Sequence, residues 1–278
     1  MNDTLTQAQI DQYQEQGFIA IEGFLNSDEL AYWQTVTQAA VDARLIAERA
    51  KSQTGDIGQS LHNQADPDSY YANVFTQCIK LADSDSGMRA IMHDQRLGRV
   101  AGTLAGVDSI HIWHDQALFK PPFGNPTAWH LDNPYWSFNS RDSISIWVAL
   151  DDATLGNGCM WYLPGTHKLA RFDNVGIGSN MRDLFKVYPE WRNIEPVAVP
   201  AKAGTVVLHN GLTAHGAGAN MTDRPRRAMT CAYMPGGTTF NGQLNVLPQA
   251  YAATLQVGDT IDDPAIVPLI WSRTGAGL

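Results

Sequence analysis

Scarcities narrow the chemistry of this chain before any motif does. It has three cysteines in 278 residues, Cys78, Cys159 and Cys231, far apart and odd in number. They form neither a zinc-binding spacing nor a disulfide framework, so a reducing cytoplasm is the expected home. Basic residues are outnumbered, 19 Lys+Arg against 28 Asp+Glu, for a net charge of −9. A chain of that balance supplies few phosphate contacts, which argues against nucleic acid or an anionic membrane as the main partner. No run approaches the about 18 apolar residues of a membrane span. The opening MNDTLTQAQIDQYQEQ has no apolar core of a secretory signal. Internal repeats and low-complexity linkers are missing as well.

What is present is a globular composition, 44% apolar and 17% charged, in a length that suits one large domain. We expect a single domain over 1–278, with a helix-rich part (1–108), a β core (about 109–235) and a C-terminal segment (236–278). A helix capped by Thr4 or Thr6 should run to Gln16 and stop at Gly17, followed by a short strand, Phe18 to Ile21. Asn26 with Glu29 reads as a capping box opening a helix from Ser27 to about Ala50. Residues 51–76 are polar and rich in Gly, Ser and Asp, a long loop and a candidate lid. Another helix is expected over about 86–104. From Ser109 the texture becomes short apolar runs broken by Pro, Gly and Asn: SIHIWHDQALFK, SISIWVAL (143–150), GCMWYL (158–163), TVVLHN (205–210) and RAMTCAYM (227–234). That pattern predicts an antiparallel sandwich or barrel.

Within the β half, TAWHLDNPYW holds His130 and Asp132. On a strand, residues two apart share a face, so an imidazole and a carboxylate can grip one ion. His215 lies far downstream in TAHGAGANMTDRPRRA. Two His and one carboxylate leave coordination positions open, the arrangement of non-haem Fe(II) oxygenases. Arg226 follows His215 by 11 residues, and from an adjacent strand its planar guanidinium could reach the same cavity and hold a carboxylate.

Here the chain resembles the phytanoyl-CoA dioxygenase family of Fe(II)/2-oxoglutarate oxygenases. The resemblance spans roughly 110–235 and rests on FKPP (119–122), WHLD (129–132), SIWVALDDATLGNGCMWYLPGTHK (145–168) and HGAGAN…RPRRA (215–228). It implies a double-stranded β-helix, a cupin-like jelly roll, mainly β with flanking helices. It also implies that Fe(II) is held by His130, Asp132 and His215, that 2-oxoglutarate is anchored by Arg226, and that O2 is the oxidant. No catalytic residue beyond the metal centre is implied. Gln116, Trp136 and Trp147 fall where relatives contact the cosubstrate. One departure stands out: relatives often carry Ser two residues after the distal His, and this chain has Ala217, so another group must supply that contact. The carboxylate of Asp132, missing in related halogenases, favours hydroxylation over halogenation, with release of succinate and CO2.

Bland readings sit beside each of these. His130 and Asp132 could be a surface strand pair. His209 competes with His215 as the distal ligand, being nearer the β run, but only His215 has Arg226 at the matching offset. His111 and His114 are read as non-ligands, and His167 as a turn residue. Arg224 and Arg227 read as a solvated basic patch. Trp129, Tyr135 and Phe138 are either β core or an aromatic wall against the substrate. The expected partner is a small-molecule metabolite, since few Lys/Arg outside 224–227 are grouped to grip the phosphates of an acyl-CoA. The rival functions are a zinc-dependent hydrolase on the same His2Asp set and a non-catalytic jelly-roll binding protein.

Overall fold

The computed structural model describes residues 1–54, 70–173 and 175–275. Helix α1 (Gln7–Gln16) starts at the Thr6/Gln9 capping box and ends at Gly17, whose φ of 84° is left-handed and suits a residue without Cβ. After β1 (Phe18–Ile21) comes α2 (Ser27–Thr54). The Glu29 amide donates to Asn26 Oδ1 and the Asn26 amide donates to Glu29 Oε2, closing the second capping box. The helix runs four residues past its expected end. Residues 55–69 of the expected 51–76 loop lie outside the described residues. Its last part forms a 3-10 turn, Tyr71–Asn73, and enters β2 (Thr76–Ile79).

The single helix expected over 86–104 is two, α3 (Ser86–Met92) and α4 (Gln95–Ala105). Asp94 breaks it: its backbone is extended and its side chain accepts from the Arg96 amide, an N-cap that starts a new helix.

The remaining strands are β3 (Ser109–Lys120), β4 (Thr127–His130), β5 (Ile144–Ala149), β6 (Met160–Tyr162), β7 (Val197–Val199), β8 (Val206–Asn210), β9 (His215–Ala217), β10 (Arg226–Pro235) and β11 (Leu269–Ser272). The larger sheet is ordered β1-β8-β5-β10-β3-β11, with β2 also on β3, and the smaller is β4-β9-β6-β7. All pairings are antiparallel. This is the double-stranded β-helix, two sheets with buttressing helices.

Why the core strands read as nearly continuous apolar runs is now visible. β5 is buried at all six positions. On one face Ile144, Ile146 and Val148 meet helix residues such as Trp33, Val41, Leu97 and Leu104. On the other, Trp147 and Ala149 pack with Tyr162, Val199 and Ala217 of the smaller sheet. Among the described residues, no helix is long and apolar enough to cross a membrane.

Candidate metal centre

His130 ends β4 and His215 begins β9, and the two are cross-strand partners with ring centroids 4.1 Å apart. Each ring is held by its own chain. His130 Nδ1 donates to the Ala128 carbonyl at 2.8 Å, and His215 Nδ1 donates to that of Thr213 at 2.9 Å. That tautomer leaves both Nε2 atoms as free lone pairs, the form a metal requires. They lie 3.7 and 3.6 Å from Asp132 Oδ1. The ligating atoms of the three residues all fall within 4.8 Å of one another.

Asp132 does not sit on the strand, as the same-face spacing had suggested. The chain turns helical immediately after β4, at Asp132, which caps the Asn133–Tyr135 3-10 turn with Pro134 inside it. The amides of Asp132 and Asn133 both donate to the Gly211 carbonyl, at 3.0 and 2.9 Å. The turn, rather than strand alternation, swings the carboxylate to the imidazoles.

The two carboxylate oxygens have separate tasks. Oδ1 faces His130 and His215. Oδ2 accepts from Ser145 Oγ at 2.8 Å and from His209 Nε2 at 3.1 Å. His209 is oriented in turn by the Tyr162 hydroxyl, 3.1 Å from its Nδ1, and Tyr162 is stacked on Phe18. His209 therefore acts on Asp132 and is not part of the triad.

Burial alone would raise the Asp132 pKa, but His215, the His209 hydrogen bond and charge, and His130 together outweigh it. The carboxyl is held well below the usual range. Burial lowers the pKa of His130, and burial with the neighbouring His130 lowers that of His215 further. The site thus presents one anion and two neutral imidazoles, a donor set matched to a divalent cation.

Arg226 begins β10 and is fully buried, and among the described residues its Nε, Nη1 and Nη2 have no hydrogen-bond partner. Its guanidinium lies 5.2 Å from the Trp147 ring and 5.9 Å from the Phe75 ring. Burial lowers its pKa to about 10, leaving it cationic at neutral pH. A buried cation with three idle donor nitrogens is a socket for a carboxylate.

A family model for phytanoyl-CoA dioxygenase (PhyH) matches residues 13–228. The chain belongs to the PhyH family. Relatives include a methylphosphonate hydroxylase from Gimesia maris, 27% identical over 235 residues, covering 84% of this chain and 82% of that one. Among solved structures, the non-haem alpha-ketoglutarate-dependent carbocyclase SnoK of nogalamycin biosynthesis superposes with a TM-score of 0.77 at 25% identity, covering 96% of this chain and 97% of SnoK. The epimerase SnoN, in complex with Fe3+, alpha-ketoglutarate and nogalamycin RO, shares the fold with a TM-score of 0.68 at 23% identity, covering 95% and 98%.

In this PhyH-family chain a cavity of about 680 Å³ opens on the triad. Gln116, Trp136, Trp147 and Tyr135 line it. Gln116 accepts from Gln77 Nε2 at 2.6 Å. Tyr135 donates its hydroxyl to the Val175 carbonyl. Two expected wall residues lie elsewhere. Trp129 neighbours His130 on β4, faces away from the cavity, and meets Phe185 at 6.3 Å among the Leu131 and Leu184 cluster. Phe138 is fully buried behind Trp136, edge-on to Trp113 at 5.0 Å. Both are packing residues. Arg227 points away from Arg226 and pairs with Asp151 at 2.7 Å, so only Arg224, highly exposed in the turn, fits the solvated reading.

Three further residues carry structural features that the motif reading does not assign, His114 among them, which that reading sets aside only as a metal ligand. Thr127 lines the cavity with a buried, unpartnered Oγ1 and is the cross-strand partner of Ala217. His114 lines it with a buried, unpartnered Nδ1, and burial, partly opposed by Asp132, lowers its pKa to about 4. Its signal was its place two residues before Gln116 on β3, hence on the same face. Lys120 is fully buried, donates to the Val74 and Asn125 carbonyls, and lies 4.6 Å over the Phe75 ring. Burial, then Arg226, pull its pKa down to about 7.

Proposed function

We propose that this enzyme is an Fe(II)- and 2-oxoglutarate-dependent dioxygenase that hydroxylates a C–H bond of a small-molecule metabolite, releasing succinate and CO2. The observation that carries the reading is Arg226, a fully buried guanidinium whose nitrogens have no partner among the described residues, in the same fold as a convergent His2Asp face. A hydrolytic metal site gives such a cation nothing to hold. A keto diacid does, because one end can meet the metal and the other the guanidinium. The likeness to SnoK, whose name states alpha-ketoglutarate dependence, supports the same assignment.

Iron bound by His130, Asp132 and His215 supplies oxygen activation and the oxidising power that a C–H bond demands. The chain's own residues do the rest. Arg226, whose guanidinium lies over the Trp147 ring, would neutralise and orient the distal carboxylate of 2-oxoglutarate. The Thr127 hydroxyl stands in for the serine that Ala217 replaces. Gln116, Trp136 and Trp147 border the cosubstrate. Ser145 and His209 occupy Asp132 Oδ2, so Oδ1 is presented to the metal in one orientation. The aromatic walls exclude bulk water from the reacting centre. The three buried, free thiols suit a reducing compartment and support a cytoplasmic enzyme.

Anaerobic addition of Fe(II) and then 2-oxoglutarate tests this directly. We expect a visible absorbance band that needs both, and succinate formation on admitting O2. Tight Zn(II) binding with neither effect would replace the reading with the hydrolase.

A further inference from the structure

The cavity beyond the metal triad has a chemical character of its own. Its walls are aromatic at Tyr71, Phe75, Tyr135, Trp136 and Trp147, and aliphatic at positions such as Ile79 and Val246. Among the described residues that line it there is no Lys or Arg. Three cations lie outside that lining: on the reading above Arg226 is engaged by the distal end of 2-oxoglutarate, Lys120 is held by two backbone carbonyls, and Lys80, which follows the lining residue Ile79, acts electrostatically on His114 without lining the cavity. Asp132 is the only acidic residue in the lining, and Ser145, His209 and the metal face account for its oxygens. A charged substrate buried here would lose its hydration and find no countercharge.

Besides Thr127 Oγ1, assigned above to the cosubstrate, a second polar atom in these walls points to a ligand. His114 Nδ1 is buried without a partner on β3, and the ring meets Trp136 edge-on at 6.4 Å between centroids. A neutral imidazole nitrogen can donate to, or accept from, a hydroxyl group. A buried polar atom left unmatched is costly, so a partner is expected when the site is filled. At about 680 Å³ the cavity lies within the range of about 300–1,000 Å³ for small-molecule sites, room for a ring system beside the cosubstrate.

We infer that the substrate is an uncharged, ring-bearing molecule with a hydroxyl group that hydrogen-bonds His114 Nδ1, and that His114 is a specificity-determining residue. The inference rests on the 2-oxoglutarate reading. It sets this chain apart from an enzyme acting on a phosphonate anion, the substrate named for the Gimesia maris relative, and from one taking an acyl-CoA, whose phosphates call for Lys or Arg.

The test uses the full chain loaded with Fe(II) and 2-oxoglutarate without oxygen. Binding is measured calorimetrically for 1-tetralol, for its anionic counterpart 1,2,3,4-tetrahydro-1-naphthoate, for methylphosphonate and for acetyl-CoA. We expect 1-tetralol to bind at least about tenfold more tightly than any of the anions. His114→Phe should weaken 1-tetralol about tenfold, the scale of one buried hydrogen bond, and His114→Gln should recover most of it. Neither variant should change 2-oxoglutarate affinity. The inference is overturned if an anion binds as tightly as the alcohol, if 1-tetralol fails to bind at millimolar concentration, or if His114→Phe leaves its affinity intact. Failure of the wild-type protein to bind 2-oxoglutarate would instead overturn the proposed function, and this inference with it; normal 2-oxoglutarate binding with failed probes sinks the substrate class alone.

Discussion

Thr127 lies directly across the β4–β9 pair from Ala217, with its hydroxyl buried, unpartnered and facing the cavity. On the proposed reading, the neighbouring strand would supply the cosubstrate hydroxyl that Ala217 lacks. Thr127→Val should therefore raise the Kd for 2-oxoglutarate about tenfold or more, the worth of one hydrogen bond to a charged group, without weakening the metal. Adding Ala217→Ser to that variant should restore the affinity. Anaerobic titration of the three proteins, wild type included, checks both statements, and a Thr127→Val protein with normal affinity would remove Thr127 from the cosubstrate site.

Arg226 makes a prediction of opposite signs for binding and stability. Arg226→Met should weaken 2-oxoglutarate about 100-fold, because two charge-assisted hydrogen bonds are lost. The same change should raise the Tm of the ligand-free protein, since a buried, unpaired cation is replaced by an apolar chain. Added 2-oxoglutarate should raise the Tm of the metal-loaded wild type and leave that of the variant unmoved. Thermal scans with and without the cosubstrate read both effects.

Removal of the Asp132 supports should appear in the metal and not in the cosubstrate. His209→Ala and Ser145→Ala each free one hydrogen bond on Oδ2. Loss of such outer contacts typically costs about 10–100-fold in metal affinity. We expect His209→Ala to fall in that range, and His130→Ala or His215→Ala to abolish binding. Competition with a chromophoric chelator gives the numbers, and an unchanged His209→Ala affinity would contradict the role assigned to His209.

Lys120 predicts a pH dependence of folding. Burial, then Arg226, bring its folded pKa down to about 7, against an unfolded value of about 10.4. Between those values the unfolded chain binds a proton that the folded one lacks. Stability from this group is present above the unfolded pKa and is lost as pH falls toward 7, by at most about 1.4 kcal/mol per pH unit. Lys120→Met should flatten that slope between pH 7 and pH 9 in urea titrations. An unaltered slope would show that the lysine keeps its proton in the fold.

Much of the fold was legible because its signals are local. The Thr6 and Asn26 capping boxes, Gly17 and the apolar runs of β3, β5, β8 and β10 are read from a few neighbouring residues at a time. The short strands β4, β6, β7 and β9, three or four residues each, carry too little periodicity to be bounded that way. β11 was missed for a different reason: its docking rests on Gly98 and Gly102 of α4, where a Cβ would fall 2.7 and 2.2 Å from Trp271, a contact with no local trace.

The sequence by itself determined the donor chemistry: two imidazoles, one carboxylate and a guanidinium at offsets that only certain ligands can use. Tertiary structure alone decided how those groups divide the work. Whether His209 or His215 faces Asp132 Oδ1, whether Trp129 or Trp136 lines the cavity, and whether Thr127 lies opposite Ala217 all depend on cross-strand register and on the turn at Asp132. Register is set by pairing between segments as far as about 190 residues apart, as in Phe18 opposite His209, and a shift of one residue would turn each of these side chains to the opposite face.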